Sequence, residues 1–137
     1  MRHLLLSLLL PAPLTLAPAE PPGPLPPETT PPSSFAETRV YRHELSGCDP
    51  SWGRCTRLAQ FCADGRISVV FTDILNSGRY QVTGGTVRAT WTGLHEPFLP
   101  ETLDFDVSED GMTLVDQWQK MIWTLDGIGE QANAPDC

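Results

Sequence analysis

Four cysteines, two histidines beyond the first residues and a group of aspartates are where residue type and spacing could support chemistry. Cys48, Cys55, Cys62 and Cys137 form an even set without a C-x-x-C pair or a closely spaced Cys/His group. That pattern points to two structural disulfides rather than a redox pair or a zinc site. If residues 57–62 are extended at ~3.3 Å per residue, Cys55 and Cys62 stand roughly 20 Å apart, whereas a bridge needs Cα atoms within about 7 Å. Of the two remaining pairings, we favour Cys48–Cys55 with Cys62–Cys137. The first closes the loop Gly47–Arg54 and the second pins the carboxyl-terminal tail.

The acidic residues offer weaker signals. Asp106-x-Ser108-x-Asp110-Gly111 resembles the opening of a calcium loop, but position twelve falls on Gln117 and strands flank it where helices belong. A hairpin turn is the expectation. Asp104 and Asp106 lie two residues apart near Glu101, Glu109 and Asp110. Paired carboxylates serve glycoside hydrolysis, yet these belong to a solvated face with no evident cleft. His43 and His95 sit in no G-x-S-x-G elbow or H-E-x-x-H helix. His95, in the Gly93–Pro100 loop, is the better placed for binding. No catalytic residue, metal site or cofactor is expected, and the chain reads as a non-enzyme.

The elements that position these residues follow from composition. Nine Lys and Arg against 17 Asp and Glu give a net charge of −8 among 137 residues. A nucleic-acid binder would need a basic face instead. Residues 1–19 read as a secretory signal: Met1-Arg2-His3, an apolar run Leu4–Leu10, and Ala17-Pro18-Ala19 before the cut. The run is too short to span a bilayer. Residues 20–36 are expected to be a disordered, proline-rich linker, since proline lacks a donor and fixes φ. Residues 37–126 form the domain and 127–137 a tail. The expected location is periplasmic or secreted.

Within the domain the apolar period is two. Strands are expected at Thr38–Leu45, Arg57–Cys62, Arg66–Thr72, Arg79–Thr83, Thr86–Thr92, Thr102–Val107, Met112–Val115 and Lys120–Leu125. Residues 73–78 read as a loop. A two-residue turn at Asp64-Gly65 would set Cys62 opposite Ile67, Gln60 opposite Val69 and Leu58 opposite Phe71. Leu58, Ile67, Val69 and Phe71 would then share one apolar face. At Gly84-Gly85, Val82 should face Val87 and Tyr80 should face Ala89. Hairpin after hairpin implies an all-β, up-and-down, eight-stranded antiparallel barrel, with a half-barrel or small sandwich as the open alternative. Phe71, Tyr80, Trp91, Phe105 and Trp123 would line an apolar pocket or fill the core. Trp52, Ser77 and Arg79 are candidate protein contacts.

Three stretches carry a resemblance: Phe61–Val69, Gly78–Val87 and Leu103–Leu114. With their "G-x-Y-x-V" strand before a glycine turn, they resemble the small lipocalin-like domains of bacterial exported proteins. A fainter similarity, through Phe61-Cys62-Ala63-Asp64-Gly65 and Ser77-Gly78-Arg79-Tyr80, is to periplasmic inhibitors of C-type lysozyme, whose loop is one residue longer and follows the cysteine strand later. The first resemblance implies a non-catalytic barrel that binds a small apolar or amphipathic ligand. The second implies a protein-binding module with a basic partner, which the acidic charge would steer. Either way a monomer is expected.

Overall fold

A computed structural model describes residues 13–24 and 33–137. The n-region and apolar run of the expected signal, and residues 25–32 of the expected linker, lie outside them. Residues 13–24 have no regular secondary structure and are exposed.

Eight strands follow in order: β1 (Arg39–Glu44), β2 (Thr56–Phe61), β3 (Arg66–Val70), β4 (Leu75–Thr83), β5 (Thr86–Trp91), β6 (Thr102–Val107), β7 (Thr113–Asp116) and β8 (Ile122–Ile128). Each pairs antiparallel with the next, and β8 returns to β1. The barrel is closed, so the half-barrel and sandwich alternatives fall away. Closure satisfies the backbone groups that an open sheet would leave at its edges. Alternate residues point inward, and Tyr41, Phe61, Val69, Val87, Phe105, Leu114 and Trp123 are completely buried.

The Gly84-Gly85 hairpin has the expected register, with Val82 opposite Val87 and Tyr80 opposite Ala89. The Asp64-Gly65 hairpin does not. Phe61 faces Ile67 and Ala59 faces Val69, one residue out from the expectation. The turn holds three residues, Ala63-Asp64-Gly65, closed by Cys62 N–H to Arg66 O at 2.8 Å and Gly65 N–H to Cys62 O at 3.0 Å. Gly65, at φ 88°, takes the left-handed position of that longer turn. A one-residue slip swaps the faces of a strand. Ala59 and Phe61 therefore point inward, while Leu58 and Gln60 point outward.

Residues 75–78, read from sequence as loop, belong to β4. Asn76 is a core residue rather than a turn former: its amide donates to Val69 O and Ile74 O, each at 3.1 Å. Gly78 is needed for close approach. A Cβ there would stand 2.2 Å from the backbone oxygen of Thr90.

Two flanking segments pack against the barrel wall. Ser33 bridges to Val82 and Phe35 enters the core cluster beside Phe61 and Tyr80. Contacts with the barrel thus include Ser33 and Phe35, inside the stretch expected to be linker. At the other terminus, a bulge lets Gly127 pair with Val40, and the chain doubles back so tightly that a Cβ on Gly127 would meet Ala132 Cα at 2.8 Å. The tail then straps the outside of β2 and β3. Asp136 accepts from Gln60 Nε2 at 2.7 Å and Ser68 Oγ at 3.1 Å. The bridges are Cys48–Cys55 and Cys62–Cys137, with Cα separations of 5.5 and 5.4 Å.

Candidate functional site

The five aromatic residues singled out for a pocket are all buried in one cluster. Phe71 is its hub, with ring centroids 6.5 Å from Trp91, 6.4 Å from Phe105 and 5.8 Å from Trp123. Trp118, from the β7–β8 connection, closes over Phe71 at 5.3 Å. Tyr80 joins through Phe61, which lies 5.3 Å from Tyr80 and 5.5 Å from Phe105. Rings at these distances are in contact. The five main surface clefts among the described residues are lined by other side chains than Trp91, Phe105 and Trp123. The Tyr80 hydroxyl donates to Cys62 O at 2.6 Å and accepts from Phe35 N–H at 3.2 Å. Its burial pushes the phenol pKa up.

The connections β1–β2, β3–β4, β5–β6 and β7–β8 lie at one end, the mouth of the barrel. Here a polar network holds the β5–β6 loop. Glu96 is buried, accepting from Thr72 Oγ1 at 2.6 Å and Asn76 Nδ2 at 3.0 Å. Its own N–H donates to Asn76 Oδ1 at 2.6 Å. Leu99 is buried too, and Trp91 Nε1–H donates to Pro100 O at 3.0 Å. Between these anchors Leu94 and Phe98 turn outward, 73% and 86% exposed. Ile74, on the neighbouring connection, is also exposed. His95 is exposed, with Nδ1 2.8 Å from Gly93 O.

Of the protein-contact candidates, Ser77 and Arg79 come together on one strand and Trp52 belongs to a separate loop. Trp52 ends the short 3-10 turn Pro50–Trp52 inside the Cys48–Cys55 loop, and its side chain lies outside the described residues. Ser77 and Arg79 are on the outer face of β4, where Arg79 Nη2 donates to Asp64 O at 2.9 Å. The stretch Ser77–Tyr80 is strand, with Tyr80 buried, so it does not project as the inhibitor-like loop would.

The acidic residues are engaged locally. Arg88 clasps Asp104 through two bonds of 2.8 and 2.9 Å, and this holds the Asp104 carboxyl below its ordinary range. Asp110 is lowered in the same sense by the Ser108 hydroxyl and then the Met112 amide, inside the hairpin turn. Asp116, fully buried, accepts from the Gln119 and Met121 amides and from Trp123 Nε1–H. That bracing supports the β7–β8 turn, where Lys120 adopts φ 59°. His43 Nδ1 lies 2.7 Å from Ile122 O.

Comparison with family models, curated proteins and solved structures finds no match. The closed eight-stranded barrel that both resemblances imply is present; the comparisons support neither family.

Sequence reasoning passed over Glu96, Asn76, Leu94 and Phe98. The available signal was Leu94-His95-Glu96-Pro97-Phe98: large apolar residues flanking a carboxylate in a loop stiffened by proline.

Proposed function

We propose that this is a non-catalytic, exported binding module that recognises a protein partner through the mouth of its barrel. Two disulfides suit an oxidising, extracytoplasmic setting. The observation that carries the reading is the β5–β6 loop, where buried Glu96 and Leu99 brace the backbone so that Leu94 and Phe98 stand in water. Exposed aromatic and aliphatic side chains on a pre-organised loop are the usual anchors of a protein interface. The interior supports the same choice, because a small ligand would need the space the rings occupy. Net charge −8, with Glu101 exposed at the end of the loop, fits a partner with basic groups around an apolar pocket.

The test compares wild type with the double variant Leu94→Asp/Phe98→Asp, immobilised and exposed to extracytoplasmic fluid of the producing cells. A protein retained by wild type and lost by the variant, with near-ultraviolet circular dichroism unchanged, supports the reading. Identical retention by both rejects it.

A further inference from the structure

The outer wall of β2–β4 carries a feature separate from the mouth loop. Leu58, Val70 and Leu75 point outward from three neighbouring strands. Val70 faces Leu75, and Leu58 stands one step beyond the Ala59–Val69 pair. The strapped tail brings Pro135 alongside, and Arg54 and Arg57 stand on the rim of a groove of about 710 Å³. Ligand sites span roughly 300–1,000 Å³. The apolar lining is aliphatic and contains no aromatic ring, so the groove suits a flexible hydrocarbon rather than a stacked aromatic.

The groove carries two arginines and two aspartates, so it lacks the acidic excess of the molecule as a whole. The Arg57 side chain is only 13% exposed. Its Nη1 donates to Arg54 O at 3.1 Å and its Nη2 to Asp73 at 3.3 Å, while Nε is buried without an acceptor. Asp73, 94% exposed, is a loosely held partner. Among the described residues no carboxylate pairs with Arg54. Asp136, the other acid in the groove, is occupied by Gln60 and Ser68. A guanidinium offers five donors in a planar fork, and a carboxylate matches that fork.

We infer that this groove binds a single-chain aliphatic carboxylate, its hydrocarbon along Leu58, Val70, Leu75 and Pro135 and its head group on Arg54 and Arg57. The site is independent of the mouth loop. The test is calorimetric titration of the disulfide-intact chain with dodecanoate below its micelle concentration, and with dodecyltrimethylammonium as the cation of equal length. Dodecanoate should saturate the protein and bind at least about tenfold more tightly than the cation. Arg54→Glu and Leu58→Asp, both outside the core, should each weaken dodecanoate by about tenfold or more. Leu94→Asp/Phe98→Asp should leave it unchanged, which separates this site from the proposed protein interface. Amide shifts on binding should centre on residues 54–58 and 70–75. Absence of saturation, equal affinity for the cation, indifference to both wall variants, or shifts centred on Phe71, Trp91 and Trp123 would each overturn the assignment.

Discussion

Replacing Asn76 by alanine should loosen the loop that presents Leu94 and Phe98, and should lower global stability by about 3–5 kcal/mol. The side chain is fully buried: its two amide hydrogens are shared among three acceptors, Val69 O, Ile74 O and the Glu96 carboxylate, and its oxygen accepts from the Glu96 amide. Neutral bonds are worth about 1 kcal/mol each and a bond to a carboxylate about 1.5–3 kcal/mol. An orphaned buried amide costs about 1–3 kcal/mol more. The two carbonyls keep a second lone pair for other donors, so the lower part of the combined range is the realistic one. Thr72→Val removes only one donor to Glu96 and should cost about 1–2 kcal/mol. The assay is urea unfolding with both disulfides intact, read as a shift of midpoint at constant slope. Hydrogen exchange at residues 93–99 reports the loop itself. A loss below about 1 kcal/mol for Asn76→Ala, with unchanged exchange in the loop, would mean that the network does not hold it.

Further outcomes rest on the same structure. Tyr80→Phe leaves the Cys62 carbonyl and the Phe35 amide without their shared partner, and should cost about 2 kcal/mol in urea unfolding. In the wild type, an absorbance titration should show Tyr80 ionising above the ordinary tyrosine range. Gly78→Ala forces a methyl against the Thr90 backbone and should destabilise by about 3 kcal/mol or prevent folding, as soluble yield and melting will show. Removing the Cys62–Cys137 bridge, whose partners are 75 residues apart, should cost about 4.5 kcal/mol against about 2.5 kcal/mol for Cys48–Cys55, seven apart, on the chain-entropy relation. Arg88→Ala should raise the Asp104 titration midpoint measured by NMR, because the guanidinium is what lowers it. The sign for stability follows: the folded carboxyl binds its proton less readily than the unfolded one. Its contribution is therefore present above the ordinary aspartate range and lost as pH falls through the folded value, and the variant should lose that part of the acid sensitivity.

Much of the barrel was legible because its rules are local. Two glycines at 84–85 admit a two-residue turn, which fixes the partners of Tyr80 and Val82. Leu103, Phe105 and Val107 alternate with aspartates, and period two has one reading. The extended reading of 57–62 separated Cys55 from Cys62 and left the favoured bridges possible. What failed was decided at longer range. Ala63-Asp64-Gly65 suits a two- or a three-residue turn equally well, and burial of the Phe61 ring chooses the second. Asn76-Ser77-Gly78 has turn composition, but the partners that make it strand, Glu96 and Thr90, lie more than ten residues away. Phe35 follows a proline run, and only its contacts with Phe61 and Tyr80 give it a place in the core. The prolines at 97 and 100 mark the mouth segment as a loop, but its bracing through Glu96 depends on residues brought together only by the fold.

The pairing of β1 with β8 means that the cylinder is complete only when its most distant strands meet. Until then, the edge of β1 is an unpaired template open to other chains, and contacts of such long separation form slowly. Cys62 follows β2 and Cys137 lies beyond β8, so the second bridge fastens the tail across the strand that adjoins the seam. Trapping free thiols during refolding would time the moment at which this clasp shuts.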